Sequence, residues 1–304
     1  MNGILIVDKP QGITSFSAVA KVKRFCSQKR VGHAGTLDPL ATGVLPMLIG
    51  KAAAMQEVLS EHDKSYRAGI RLGTVTDTAD TTGSIVETNP VDISDQQFTE
   101  ALNGFIGKTK QVPPMYSAIQ VNGKRLYELA RNGVEIEREA RDIEIYSACL
   151  VRRESETDFI FDVSCSKGTY IRTLCEDIGK ALGTGACMYS LQRTRCGHFS
   201  LENAVSLDSL EILYSQNRQD EIEKLLIPCE ALFSKLKAIK LSEFFSRLCL
   251  NGCEIYISKL KIQENSLEPF GLCRLYSSTG VFIGVAELKA FPDGKALKLK
   301  YRFI

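Results

Sequence analysis

Histidine is nearly missing from this 304-residue chain, which holds only His33, His62 and His198. None lies in a recognisable nucleophile motif, so a Ser–His–Asp or Cys–His hydrolase is poorly supported. Long apolar runs are missing as well, and no stretch approaches the length of a membrane span. The N-terminal MNGILIVDKPQG has no basic start, long apolar core or small-residue cleavage site. It does not read as a signal peptide, and a cytoplasmic location is the expectation. Zinc spacing is lacking too: Cys249 and Cys253 have no second pair, and Cys196 with His198 is too small a ligand set. The ten cysteines, scattered through an unexported chain, read as reduced thiols acting as small hydrophobes. A phosphate loop fails at GVLPMLIGKAA, where six residues separate Gly43 from Gly50 and alanine follows Lys51. No metal is expected.

What is present is an ordinary globular composition, 44% hydrophobic and 24% charged, with a net charge of only +2. The distribution of that charge says more. KVKRFCSQKR (21–30) carries Lys21, Lys23, Arg24, Lys29 and Arg30 and no acid. Between Ala101 and Tyr127 the only charges are Lys108, Lys110, Lys124 and Arg125. Lys295, Lys298, Lys300 and Arg302 gather at the C-terminus, and acids gather in EHD (61–63) and QDEIEK (219–224). Separated basic segments suit a polyanion, because phosphate neutralisation is the main sequence-independent source of nucleic-acid affinity. Solvated surface is the plain alternative for any one of them.

GILIVDKP (3–10) reads as a buried strand stopped by Pro10. A helix follows, capped by Thr14 or Ser15, with Phe16, Val19 and Ala20 on one apolar face. Residues 31–46, VGHAGTLDPLATGVLP, are punctuated by glycine and proline and read mostly as loop. In the next strand Tyr66, Ala68, Ile70 and Leu72 alternate with Arg67 and Arg71. Asp77 and Asp80 miss the calcium-loop spacing and read as polar loop residues. Ser94 and Gln97 form a capping box for a helix bearing Phe98, Leu102 and Phe105. A strand at DFIFDVSC leads to the helix IRTLCEDIGKAL, and ACMYSLQRTRCGHF returns as extended chain. From about Lys237 short strand-like runs with glycine turns predict a β-rich domain, dividing the chain into 1–237 and 238–304.

Asp38 is the residue whose setting asks for chemistry. Leu37, Leu40, Val44 and Leu45 around it predict poor solvation, which raises a carboxyl pKa. Pro39 favours extended backbone at Asp38, while Gly35 and Gly43 let the loop turn on either side. An Asp–Pro turn or helix cap is the structural alternative. A glycosidase would need a second carboxylate opposite, and none is identifiable. An aspartate acting alone would serve as nucleophile or base, kept ionised by a cation.

GHAGTLDPLATGVLP closely resembles the signature loop of the TruB family of tRNA pseudouridine synthases, whose aspartate is essential. DKPQGITSFSAV, KSYRAGIRLGTVTDTADTTG, PPMYSAIQVNGKRLYELAR, CSKGTYIRTLCEDIG and SLQRTRCGHF are similar to further family blocks, in the family's order. Together they cover most of residues 3–200. The C-terminal segment is similar, on weaker grounds, to a PUA-type RNA-binding module.

The resemblance implies an α/β (α+β) fold with a mixed, largely antiparallel sheet, flanking helices and a small β-rich PUA-like domain. It implies isomerisation of uridine to pseudouridine at position 55 in the T loop of tRNA, by a monomer that needs no cofactor or protein partner. Asp38 becomes the catalytic carboxylate, Arg172 its cation and Tyr66 the aromatic that stacks on the target base. His33, Tyr170 and Leu191 become contacts to the RNA or the flipped nucleotide. Tyr66, Tyr170 and Leu191 also have readings as packing, and Arg172 as a surface helix cation. One departure is local: Ala53 and Ala54 stand where the family usually has Thr-Lys. Two other functions fit the same residues. A silent tRNA-binding protein would bind without turnover, and a hydrolase using Asp38 with an unseen acid would turn over free uridine.

Overall fold

The structure is a computed structural model. It describes residues 1–304 except 57, 58, 60, 61, 118, 122, 261, 262, 264–266 and 268–270, and leaves out the side chains of 124, 125, 127 and 131. Glu61 of the acidic EHD cluster therefore lies outside the described residues, as do the side chains of Lys124 and Arg125.

Strand β1 (Gly3–Lys9) passes through the N-cap Thr14 into helix α1 (Ser15–Phe25). Strands β2 (Val31–His33) and β3 (Thr42–Ile49) pair antiparallel around the loop that carries Asp38. Strand β4 (Lys64–Leu72) precedes the small hairpin of β5 (Thr74–Thr76) and β6 (Ile85–Thr88). Helix α2 (Asp95–Asn103) has the Ser94/Gln97 capping box that its sequence predicts. Then come β7 (Gly107–Gln111), the hairpin β8 (Gln120–Val121) and β9 (Lys124–Arg125), and helix α3 (Leu126–Arg131). Strands β10 (Arg141–Arg153) and β11 (Asp158–Cys165) lead to helix α4 (Ile171–Ala181) and strand β12 (Ala186–Cys196). Short strands β13 (Phe199–Ser200) and β14 (Val205–Ser206) and helices α5 (Leu207–Ser215) and α6 (Gln219–Lys224) complete this part.

These strands form one sheet of ten, in the order β14-β1-β3-β12-β4-β11-β10-β7, with β2 on β3 and β13 on β12. Only the β1–β14 and β3–β12 junctions are parallel, so the sheet is mixed and largely antiparallel, as expected. Alternation puts Leu5 and Val7 of β1 into the core beneath α1, and Ile4 and Ile6 into a second apolar layer. Burial on both faces explains why GILIV is an unbroken apolar run.

Two sequence readings need correction. The core face of α1 is Ser15, Ala18, Val19, Val22 and Phe25, whereas Phe16 is 76% exposed and Ala20 is exposed. The docking of Ser15 onto the neighbouring loop, described below, sets this rotation. Residues 31–46 are also less loop than their glycines suggest, since β2 and half of β3 lie within them. Gly43 has φ +100°, and a Cβ there would stand 2.3 Å from the Arg193 carbonyl oxygen. That glycine therefore serves a close strand approach.

A second sheet, β15-β17-β18-β19-β16, is built from β15 (Lys237–Lys240), β16 (Ile255–Tyr256), β17 (Leu272–Tyr276), β18 (Phe282–Phe291) and β19 (Gly294–Arg302). Helix α7 (Glu243–Leu250) packs with it. Its core holds Ile239, Leu275, Ile283 and Leu297, yet Val285 and Phe303 share a cluster with Ile4, Ile6, Val44 and Leu48 of the first sheet. Tyr276 donates to Glu230, and Arg274 pairs with the same carboxylate, which adds a polar tie. The C-terminal cations are largely compensated within the protein. Lys298 pairs with Glu254 and Lys300 with Glu287, and Arg302 donates to the carbonyls of Leu250 and Ile304.

The shared apolar layer predicts that the two sheets unfold as one cooperative unit. Phe303→Ala should lower stability by about 3–5 kcal/mol, the cost of emptying a buried phenylalanine site. The denaturant midpoint should fall while the slope is unchanged. A midpoint left at the wild-type value when a probe in the first sheet is followed would show that the sheets unfold independently.

Candidate active site

The loop between β2 and β3 is fastened from both sides. The Ser15 hydroxyl donates to the Leu37 carbonyl at 2.9 Å and accepts from the Leu37 N–H at 2.8 Å. The Gly12 N–H donates to the Pro39 carbonyl at 2.8 Å, and Ala41 N–H to the Asp38 carbonyl at 3.1 Å. Asp38 is therefore part of a turn, but through its backbone. Among the described residues its carboxylate caps no N–H group and instead faces Arg172, with Oδ2 3.1 Å from Nη2. The turn reading holds for its backbone, and its carboxylate is left facing a cation.

Arg172 sits in the first turn of α4, 7% exposed as a side chain. Nη2 also donates to the Tyr116 carbonyl at 2.7 Å and Nη1 to the Thr78 carbonyl at 3.3 Å, so the guanidinium is fixed in place. It is not a surface helix cation. On its other side Nη1 lies 3.7 Å from Asp80 Oδ2, and Asp80 is equally buried. A second carboxylate thus shares the guanidinium with Asp38. Reading Asp80 as a polar loop residue captured only part of its role. Its Oδ1 does accept from the Thr78 hydroxyl and the Thr82 N–H and hydroxyl, holding the β5–β6 turn. Its other oxygen turns inward, a choice that nothing local in TDTADTTG signals.

Asp38 has its pKa raised. Burial is the largest cause, Arg172 opposes it, Asp80 reinforces it and Lys9 opposes it. Some 43% of the Asp38 side chain still meets solvent. The carboxylate is thus reachable from one side and poorly solvated on the others, which suits a reactive group more than a structural one. Lys9, at the end of β1, has no exposed surface, and its ammonium donates to the carbonyls of Pro10 and Ile13 at 2.7 and 2.8 Å. Burial pushes it down to about 8 against the attraction of Asp38.

Arg193 of β12 ties the loop to the sheet. It is 1% exposed, and it donates from Nε to the Val44 carbonyl at 2.7 Å and from Nη2 to the Gly35 carbonyl at 2.8 Å. Sequence reasoning missed it, as it missed Lys9. Their only signal was a charge inside an otherwise strand-like run. Tyr66 pairs in register with Arg193 across β4 and β12. Its ring lies in the main core cluster, and burial pushes its hydroxyl up to about 12 while Arg193 opposes this. Leu191 sits opposite Ala68 on the same ladder, half-buried.

Tyr170 is the N-cap residue of α4, its backbone N–H and carbonyl both held by the Gln111 side chain at 2.8 and 3.1 Å. Its hydroxyl pKa is raised, chiefly by burial, and both Arg172 and Asp38 act on it. His33 on β2 is half-buried, with Nδ1 unpartnered among the described residues. Burial first and Arg193 second lower its pKa, which favours the neutral imidazole. Asp38 and Arg172 are thus in contact and both act on Tyr170, while Arg193 acts on Tyr66 and His33. Among the described residues no group of three or more His, Cys, Asp or Glu could hold a metal. Nor, among the described residues, is any helix long and apolar enough to cross a membrane.

The whole architecture recurs in solved structures. A chain of a Cbf5–Nop10–Gar1 complex superposes with a TM-score of 0.70 at 23% identity, covering 100% of this chain and 85% of that one. A chain of an H/ACA RNP bound to a substrate RNA containing 2′-deoxyuridine gives 0.70 at 22% identity, covering 99% and 85%. At these identities the likeness is one of fold. Residues 23–171 match the model of the TruB family pseudouridylate synthase N-terminal domain, and residues 172–234 that of the tRNA pseudouridylate synthase B C-terminal domain. The fold and its aspartate loop are thus those of a pseudouridylate synthase, an isomerase. The chain belongs to the TruB family.

Full-length relatives agree. The tRNA pseudouridine synthase B of Clostridium tetani is 43% identical over 303 residues, 98% of this chain and 99% of that protein. Those of Clostridium perfringens (strain 13) and Burkholderia mallei (strain NCTC 10247) are 41% and 42% identical, over 99% and 94% of this chain and 98% and 93% of their own lengths.

Proposed function

We propose that this chain isomerises uridine to pseudouridine in tRNA, at position 55 of the T loop, with Asp38 as the catalytic carboxylate. The observation that carries this is the Asp38–Arg172 pair at 3.1 Å, open on one side and held in a doubly fastened loop. The tRNA substrate comes from the names of the full-length relatives. The target base must leave its stack, at roughly a few kcal/mol, less for a loop nucleotide. Tyr66 would then take the base face, while Tyr170, Leu191 and His33 line its route. The N1–C1′ bond breaks with assistance from Asp38, the base turns, C5 bonds to C1′ and loses its proton, and N1 takes up a proton. Every heavy atom stays within one nucleotide and no electrons are gained or lost, so no redox cofactor enters the balance.

The chain divides in this reading into a catalytic part, 1–237, and a PUA-like RNA-binding part, 238–304, in a cytoplasmic monomer. Because β18 and β19 pack on the first sheet, the second part binds RNA as a fixed extension of the first. The test is to incubate pure protein with an unmodified tRNA transcript and map pseudouridine. Conversion at position 55 is expected. No conversion at any uridine would end the reading, and conversion only at another position would end its T-loop part.

A further inference from the structure

Phe16, the second residue of α1, is the most exposed large apolar side chain among the described residues, at 76%. Its position is not casual. Its neighbour Ser15 holds Leu37 through two hydrogen bonds, and Asp38 is the next residue after Leu37. Phe16 and Asp38 each stand one residue from the same direct contact. Gln11 and Gly12, shortly before Phe16, and Pro39, which follows Asp38 and is bonded to Gly12, are exposed. From Lys9 to Leu37 the chain has no acidic residue at all. Arg24 is paired with Glu211, but among the described residues Lys21, Lys23, Lys29 and Arg30 have no ion-pair partner. Lys23 lies seven residues beyond Phe16, two helical turns along the same flank.

An exposed aromatic ring on an uncompensated cationic segment is the combination by which proteins hold unpaired nucleotides. The ring takes a base face, and the cations take the phosphates. We infer that Phe16 is a platform on which an unpaired base of the RNA substrate, flanking the target uridine, stacks. This rests on the tRNA-directed function proposed above. Phe16 then contributes to recognition of the bound RNA and leaves the reacting atoms to Asp38. The cations of α1 and of the turn after it hold the neighbouring backbone.

The experiment uses the full chain and an unmodified tRNA transcript. Because the ring lies outside the core, Phe16→Ala should melt like the wild type. Affinity for the transcript should fall by between about fivefold and a hundredfold, the range that loss of one base–aromatic stack produces. The effect should fall on KM more than on kcat, and Phe16→Tyr should restore it. The chain contains no tryptophan, so Phe16→Trp places a single indole at this site. Its emission should be quenched, and its access to acrylamide reduced, when the transcript binds. Wild-type affinity in the alanine variant would overturn the inference. So would an indole that senses nothing while the transcript binds. Pseudouridine mapping on the wild type keeps the two readings apart. Product from the wild type with no Phe16 effect ends only the platform. A Phe16 effect without product supports an RNA platform and ends the proposed reaction.

Discussion

Replacing Asp38 by asparagine should eliminate pseudouridine formation while leaving tRNA affinity within about threefold of wild type. The two side chains have nearly the same shape, so the loop, held by Ser15 and Gly12 through its backbone, keeps its course. Arg172 keeps its place too, because it still donates to Thr78 and Tyr116 and still faces Asp80. What disappears is the negative oxygen on the open side. Loss of a group that reacts directly typically costs a thousandfold or more in turnover. Binding persists because phosphate contacts are spread over many cations. Single-turnover kinetics on a transcript, with filter binding alongside, measures both quantities. Turnover within tenfold of wild type would remove Asp38 from the reaction.

Arg172→Met should move the acid limb of the single-turnover pH profile to higher pH. In the proposed role Asp38 acts as the carboxylate, and its pKa already lies above the ordinary value because burial outweighs the guanidinium. Removing the cation removes the principal opposing influence and leaves Asp80 as a like charge nearby. A neighbouring opposite charge is worth about 1–3 pKa units, so the limb should climb by an amount of that order. Asp80→Asn makes the opposite prediction, since Asp80 pushes the Asp38 pKa up and its loss should shift the limb to lower pH. The methionine variant should also be less stable, by about 3–5 kcal/mol, because it strips a buried carboxylate of its partner. Melting curves will show whether it is folded at the assay temperature. Profiles that superpose for wild type and Arg172→Met would deny the guanidinium this role, whatever the stability.

Much of the fold was legible in the residues. Alternation identified β4, with Tyr66, Ala68, Ile70 and Leu72 inward and Arg67 and Arg71 outward. The Ser94/Gln97 box located the start of α2. Strand β10 escaped notice because residues 141–153 alternate weakly and many of them are exposed. Helix α7 escaped because short strand-like runs on either side dominate the pattern there. The face of α1 was misjudged because Phe16 is apolar, and periodicity counts apolar residues without knowing which of them a neighbour covers.

By itself, the sequence determined whatever depends on a few consecutive residues. It specified the caps, the strand alternation, the turns at glycine and proline, and the loop that gives Asp38 poor solvation. These follow from hydrogen bonds and steric limits that act within a turn or a strand. Only the tertiary structure decided which charges meet. Arg172 reaches Asp38 from a helix in the other half of the chain, and Asp80 arrives from the β5–β6 turn. Lys9 and Arg193 are buried beside them by the register of β1 and β12. The same holds for the C-terminal sheet, whose Val285 and Phe303 became part of the first sheet's packing. Coulomb interactions and burial depend on distances through the folded interior, and those distances exist only once the sheet has closed over its own length.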